Sequence, residues 1–98
     1  MTVKELTPIT DAGLLEQVKS GINLNGNDYQ DDTITVWINE VKQDLLYAGV
    51  SAEVLGSTLA VGCITRGVDD RWLSHLPDYS DFFNKGAERL RNIKVEGA

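Results

Sequence analysis

The sequence predicts an all-α fold, a small four-helix bundle-like domain with short connections. Apolar residues recur at helical spacing in four segments, capping residues and glycines mark the segment ends, and short stretches join the segments. A chain of 98 residues suffices for one domain with a modest core. We therefore expect a single domain over residues 1–98. Its core is expected in residues 10–91, with flexible segments at 1–8 and 92–98.

The first predicted helix begins after Thr10, whose hydroxyl is suited to cap it. The helix ends near Gly21, and a loop rich in Asn and Gly follows it, with a tight-turn candidate at Asn25-Gly26. Its apolar face is formed by Leu14, Leu15, Val18 and Ile22.

The second predicted helix lies within Asp31–Val50, although its β-branched start favours a strand locally. One helical face is apolar for about four turns, and its members are Ile34, Trp37, Ile38, Val41, Leu45 and Ala48. The alternation typical of a strand stops at Ile38. We expect Asp31 or Asp32 to cap the helix and Gly49 to end it in a left-handed Schellman turn.

The third helix is expected to start after the cap Ser51 and to continue until Asp69–Pro77 breaks the pattern. Its predicted core stripe is Val54, Thr58, Val61, Thr65, Val68 and Trp72. A second line on this helix, the small-residue line, consists of Gly56, Ala60, Cys63 and Gly67. Since an interior glycine costs about 1 kcal/mol relative to alanine, we expect the line to admit another helix closely, from this chain or from a neighbouring subunit.

A last helix is predicted to start at the cap Asp78 and to fray after Arg91. Its shared face is formed by Tyr79, Phe82, Phe83, Gly86 and Leu90.

Charge is distributed unevenly along the chain. The formal net charge is −6, which disfavours binding to nucleic acid or anionic lipid. The acidic-surface candidates lie early in the chain: Asp28, Asp31, Asp32, Glu40 and Asp44. The basic contact candidates lie near the end: Lys85, Arg89 and Arg91. Such unlike surfaces suit head-to-tail contacts between copies, and solvated helix ends explain them equally well.

The sequence contains little that supports catalysis or metal binding. His75 is the single histidine, and the spacings of zinc, calcium and phosphate-binding motifs are not met. Helix capping accounts for the pairs Asp31-Asp32 and Asp69-Asp70. Cys63 is interpreted as a small buried apolar residue. We therefore expect no enzyme activity and no cofactor. Neither a signal peptide nor a membrane span is predicted, so we expect synthesis in a cytoplasm.

Four features carry a resemblance to a known family: the Asp31-Asp32 start of a long amphipathic helix, its Tyr47–Val50 end (YAGV), the apolar Val61–Trp72 segment (VGCITRGVDDRW) and the aromatic Tyr79–Phe83 segment (YSDFF). Together they make the chain, from about Leu14 to Leu90, resemble the small head–tail connector proteins of tailed bacteriophages and prophages. These are also described as head-completion or DNA-packaging connectors.

The resemblance implies a structural virion protein, made in the bacterial host cytoplasm and located at the head–tail interface. Copies would form a ring under the portal protein, extend the DNA channel and dock the next tail-proximal connector or stopper protein. DNA would pass without sequence-specific binding, since acidic walls repel phosphate. The acidic-surface candidates would face the channel, the small-residue line would let helices crowd together, and the basic contact candidates would meet the portal or a neighbour.

Two other function classes compete with this interpretation. The first is a small acidic helical adaptor or regulatory module unrelated to virions, with a partner helix held between the second and third helices. The second is a helix-turn-helix DNA-binding protein, which draws on the tight turn at Gly49–Ser51. The latter is disfavoured because Val54–Ile64 has no Lys, Arg, Asn or Gln to reach base edges.

Overall fold

The computed structural model describes residues 2–3, 5–23, 30–74 and 80–95. The α-helices in these ranges are α1 (Asp11–Gly21), α2 (Asp31–Tyr47), α3 (Ala52–Leu55), α4 (Val61–Ser74) and α5 (Asp81–Arg91). A 3-10 turn at Thr58–Ala60 leads into α4. Two-residue strands, β1 (Thr2–Val3) and β2 (Lys94–Val95), pair in parallel. The prediction of an all-α domain is confirmed.

Two of the predicted helix starts are capped by the expected side chains. The Thr10 hydroxyl accepts a hydrogen bond from the Gly13 amide at 3.0 Å. The Ser51 hydroxyl accepts one from the Val54 amide at 3.3 Å. Each side chain thus satisfies an amide that has no partner inside the first turn of its helix.

The end of α2 is the predicted Schellman turn. Gly49 has a φ of +99°, a conformation that a glycine adopts without a steric penalty. The Val50 amide donates to the Leu45 carbonyl and the Gly49 amide to the Leu46 carbonyl, both at 3.0 Å. These two bonds satisfy carbonyls that the ending helix leaves without partners.

The start of α2 differs from the prediction that an aspartate caps it. Gln30 is the N-cap residue, and its side chain makes no capping hydrogen bond. Asp31 and Asp32 instead lie in the first turn, where their negative charge favours the positive end of the helix dipole.

The core forms around one face of α1 and one face of α2. Leu15 and Trp37 are half-buried against it. Ala48, which the sequence predicted as the last member of the α2 stripe, is instead the C-cap residue and is exposed. The buried residues of these two faces are Leu14, Val18, Ile22, Ile34, Ile38, Val41 and Leu45. The helical spacing of both faces is confirmed.

The predicted third helix is split, which corrects the sequence-based expectation. Helix α3 ends at Leu55, and Gly56 and Ser57 separate it from the 3-10 turn. The buried Ser57 hydroxyl donates to the Val54 carbonyl at 2.7 Å and accepts from the Leu59 amide at 3.3 Å. This side chain competes with the backbone for helical hydrogen bonds and so favours a turn.

A segment remote in sequence completes this break. The Thr58 amide donates to the Thr7 carbonyl at 2.8 Å, and the Ile9 amide donates to the Gly56 carbonyl at 3.0 Å. Residues before α1 therefore bind backbone groups that a continuous helix would have used itself. Helical spacing carries no information about such a contact.

Helix α4 lies at the centre of the fold, packed against α1, α2 and α5. It continues through Asp69 and Asp70 to Ser74, past the predicted break. The buried residues of α4 and the preceding turn are Ala60, Ile64, Gly67 and Val68. Of the predicted stripe in this part, Thr58 is exposed and Val61 and Thr65 are half-buried. Val68 is buried as predicted, whereas at Val61 and Thr65 the buried face lies one position earlier, at Ala60 and Ile64. A helix with neighbours on several sides buries more than one stripe.

Helix α5 is capped by Ser80, whose hydroxyl accepts from the Phe83 amide at 3.3 Å. The predicted cap, Asp78, lies outside the described residues, as does Tyr79. The buried residues of this helix are Phe83, Ala87 and Leu90. Its amphipathic character is as predicted, and its cap lies two residues later than predicted.

The segments on either side of the helical core are paired. In β1 and β2, Thr2 lies opposite Lys94 and Val3 opposite Val95, and Ile93 is buried. The sequence did not predict this pairing, and the flexibility expected for residues 1–8 and 92–98 stays a prediction. Too few residues are involved for any periodicity to predict the pairing.

Candidate interaction surface

The acidic-surface candidates are divided among different environments. Asp31 forms an ion pair with Lys19, with 2.9 Å between Oδ1 and Nζ. The Lys19 side chain is only 1% exposed, and Glu16 lies 3.9 Å from its ammonium group. Asp31 therefore balances a buried charge between α1 and α2. The sequence did not predict this role, since Lys19 sits one position beyond the apolar residue Val18.

Glu40 and Asp44 share one cation from α4. Arg71 places Nη1 2.7 Å from a Glu40 carboxylate oxygen and Nη2 3.2 Å from an Asp44 oxygen. Two negative charges on α2 are thereby partly neutralised. Asp32 is exposed in the first turn of α2, and Asp28 lies outside the described residues.

The small-residue line is only partly a packing line. Gly56 lies in the turn between α3 and the 3-10 turn rather than on a helix, so it is not part of the packing line predicted for this helix. A Cβ at Gly67 would lie 2.8 Å from Val41 and 2.8 Å from Phe83, closer than carbon atoms pack. Cys63 faces α5, where a Cβ at Gly86 would lie 3.1 Å from its sulphur. At Gly67 and Cys63 the helices that approach belong to the same chain.

An open groove of about 590 Å³ lies between α4 and α5. We call it the α4–α5 groove, and it is lined by Leu59, Gly62, Cys63, Arg66, Lys85, Gly86, Arg89, Leu90 and Ile93. Its lining combines three cationic side chains with apolar and small residues, and no acidic residue belongs to it.

The cations of the groove come from two helices. Lys85 and Arg89 are four residues apart on α5 and so project from the same face. Arg66 approaches from α4, with Asp69 of the same helix 4.0 Å from its guanidinium group. Two of the three basic contact candidates thus lie together, whereas Arg91 lies outside the groove and packs beside Gly49.

Arg66 was not predicted as a member of this surface. It lies near the end of the apolar part of its helix, and only its helical offset from Cys63 connects it to the groove. That offset becomes informative once α5 is known to cross this face of α4.

Cys63 contributes a half-buried thiol to the groove. Burial raises the pKa of this thiol to about 11, against a smaller lowering effect of the Arg89 charge. Its sulphur lies 3.7 Å from the Phe83 carbonyl oxygen, to which the thiol donates. The thiol is therefore protonated and weakly nucleophilic near neutral pH, as the apolar interpretation of Cys63 predicts.

This pKa predicts slow reaction of Cys63 with DTNB. Since the ordinary value is 9.0, the native thiol at pH 8 should react about a hundredfold more slowly than the thiol of the urea-unfolded chain. Because the folded state holds the proton more tightly, this contribution to stability is present below pH 9.0 and is lost as the pH rises towards 11. Equal rates in the native and unfolded chains would contradict the assignment.

Three large apolar side chains of α2 are exposed outside the groove: Val36, Leu46 and Tyr47. Tyr47, at 82% exposure, is the most open of them and lies at the end of the helix. By contrast, the boundary between α2 and α4 is closed by the contact of Gly67 with Val41 and by the Arg71 ion pairs. At these described contacts α2 and α4 leave no opening for a partner helix.

The described residues contain no cluster of three or more His, Cys, Asp or Glu side chains arranged to hold a metal ion. His75 lies outside them. Within the same ranges, every helix is too short or too polar to cross a membrane. Comparison of the chain with protein-family models, curated proteins and solved structures finds no match.

Proposed function

We propose that this protein is a head–tail connector subunit of a tailed bacteriophage or prophage. Copies form a ring beneath the portal protein, extend the DNA channel and dock the next tail-proximal connector or stopper protein. The subunit acts by protein–protein contacts, without catalysis or a cofactor. It is made in the bacterial host cytoplasm and incorporated into the virion.

The observation that carries this proposal is the separation of charge on the surface. Lys85 and Arg89 are exposed on α5 in a chain whose net charge is −6. Exposed acids lie on the first two helices, at Asp11, Glu16 and Asp32. Helix α5 also bears the exposed acids Asp81 and Glu88, so its formal charge is +1. Surfaces of opposite sign on one small domain support heterologous contacts, in which the cationic side chains meet acidic residues of the portal protein or of a neighbouring copy.

The acidic side also suits a wall along which DNA slides, because like charge repels phosphate. Among the described candidates, Asp32 is exposed in the first turn of α2 and is proposed for this role. Glu40 and Asp44 together retain one net negative charge beside Arg71. Asp31 is not proposed to face the channel, because its carboxylate pairs with the buried ammonium group of Lys19.

The test is assembly with a portal protein encoded beside the gene for this chain. We expect the chain alone to be monomeric or weakly associated by light scattering, since a heterologous ring needs a template surface. Mixed with portal particles, it should add a ring of density under the portal in electron micrographs. A tight closed dimer that buries α4, or portal particles without added density, would overturn the proposal.

A second candidate function is an adaptor unrelated to virions, which the α4–α5 groove favours. The groove lies between α4 and α5 rather than between the helices for which the sequence predicted it. Binding of a partner segment without any affinity for portal particles would favour this adaptor over the connector. A DNA-binding helix-turn-helix is not proposed, since the helix after the Gly49 turn has only four residues.

A further inference from the structure

We infer that the α4–α5 groove binds an acidic segment of a partner protein, with one apolar side chain seated between carboxylates that pair with the groove cations. This inference goes beyond the connector proposal and does not require it, because the chemistry of the groove is the same in any assembly.

The first argument is electrostatic. Lys85 and Arg89 repel each other along one helix face, and Arg66 adds a third cation across the opening. In the part of the chain that the structure describes, neither Lys85 nor Arg89 forms an ion pair. Carboxylates entering the groove would relieve this repulsion and form charge-assisted hydrogen bonds.

The second argument is the apolar floor beneath these cations. Leu90 and Ile93 are buried and line the groove, and the thiol of Cys63 is protonated near neutral pH. Leu59 lies at the rim with 39% of its surface exposed. An apolar side chain of the occupant would cover this floor. A phosphate backbone or a free anion would leave the floor in contact with water. The lining therefore favours an acidic peptide with an apolar anchor over nucleic acid.

The third argument is size. A volume of about 590 Å³ is within the range of sites that hold small ligands, so a few residues of the partner fit rather than a whole domain. Gly62 lines the groove, and the space beside it is open, since a Cβ at this position would meet no atom within 4 Å. A larger side chain at residue 62 therefore has room at the groove without disturbing the core.

The test uses the full chain and a fluorescein-labelled peptide, Glu-Glu-Leu-Glu-Glu, followed by fluorescence anisotropy. We expect at least tenfold weaker binding of the peptides Glu-Glu-Ser-Glu-Glu and Lys-Lys-Leu-Lys-Lys, and weaker binding of the first peptide as salt is raised. The Ser peptide isolates the apolar anchor, and the Lys peptide isolates the charge.

Matched variants connect this binding to the groove. The double variant Lys85→Glu/Arg89→Glu should lose at least tenfold in affinity. Arg91→Glu/Lys94→Glu changes the net charge equally at two exposed positions outside the groove and should lose much less. Gly62→Leu should block binding while Gly62→Ala preserves it, with circular dichroism used to verify that all four are folded.

Four outcomes would overturn the inference. Equal losses of affinity in the two charge variants would show that the peptide responds to the net charge of the protein and not to the groove. Tighter binding of a single-stranded oligonucleotide than of the Leu peptide, abolished by Lys85→Glu/Arg89→Glu, would make the groove a nucleic-acid site. Self-association that the Leu peptide and Gly62→Leu both disrupt would identify a second copy as the occupant. Failure of peptide binding with intact ring formation on portal particles would refute this inference and leave the connector proposal standing.

Discussion

Replacing Asp31 by alanine is expected to lower the free energy of unfolding by about 3 kcal/mol. The substitution leaves the Lys19 ammonium, 1% exposed, without the carboxylate 2.9 Å away. Loss of one member of a buried ion pair typically costs about 3–5 kcal/mol. The lower end applies, since Asp31 is partly exposed and Glu16 remains 3.9 Å from Lys19. Urea unfolding followed by circular dichroism measures the change.

Asp32→Ala is the matched control for this experiment. Asp32 also lies in the first turn of α2 and has the same favourable position relative to the helix dipole, so both variants lose that effect equally. We expect Asp32→Ala to cost less than about 1 kcal/mol. The double variant Lys19→Met/Asp31→Leu, which removes both charges, should recover most of the lost stability. Similar losses for Asp31→Ala and Asp32→Ala would refute the buried pair.

Alanine at Gly67 and alanine at Gly62 should have effects of opposite sign, although both glycines lie inside α4. At Gly67 the new methyl group would lie 2.8 Å from Val41 and from Phe83, and overpacking of this kind costs about 1–3 kcal/mol. The gain in helix propensity offsets a part of that cost, so we expect a net loss of about 1–2 kcal/mol.

At Gly62 the methyl group meets nothing within 4 Å. Only the gain in helix propensity remains there, and we expect stabilisation by about 0.5–1 kcal/mol. Urea midpoints of the two variants and the parent chain provide the comparison. Stabilisation of the chain by both substitutions would show that α4 is not tightly packed against α2 and α5 at Gly67.

The features that the sequence predicted well depend on neighbours in the chain. A hydroxyl three residues before an amide, as at Thr10 and Ser51, caps a helix wherever the helix lies in the fold. Gly49 ends α2 through its own left-handed backbone conformation, which also depends only on residues next to it in the chain. The buried face from Ile34 to Leu45 was predicted because α2 buries only one side. Its apolar residues therefore recur at the helical period in the sequence.

The features that were missed depend on contacts between remote segments. The split at Gly56 and Ser57 is completed by backbone hydrogen bonds to Thr7 and Ile9, some fifty residues earlier. The continuation of α4 past Asp70 is supported by Arg71, which reaches acids on α2. Helical period reports burial on one side of a helix, so it misassigns a central helix that has neighbours on several sides.

The candidate surfaces also divide into residues predicted from nearby positions in the chain and residues brought together by remote segments. Lys85 and Arg89 were predicted together because they are four residues apart on one helix. Arg66 joins them only through the crossing of α4 and α5, which no spacing reveals. Lys19 was missed since a lysine beside an apolar stripe is usually solvated, and its burial depends on Asp31 at the start of the next helix.

The parallel pairing of β1 with β2 has a mechanical consequence. Thr2 lies beside Lys94 and Val3 beside Val95, so the chain enters this ribbon at one end and leaves it at the other. Tension applied between residues 2 and 95 would load the inter-strand hydrogen bonds in shear, and they would have to break together. An antiparallel pairing would open one bond at a time. The fold thus resists this extension at the pairing of β1 with β2, before force reaches any helix.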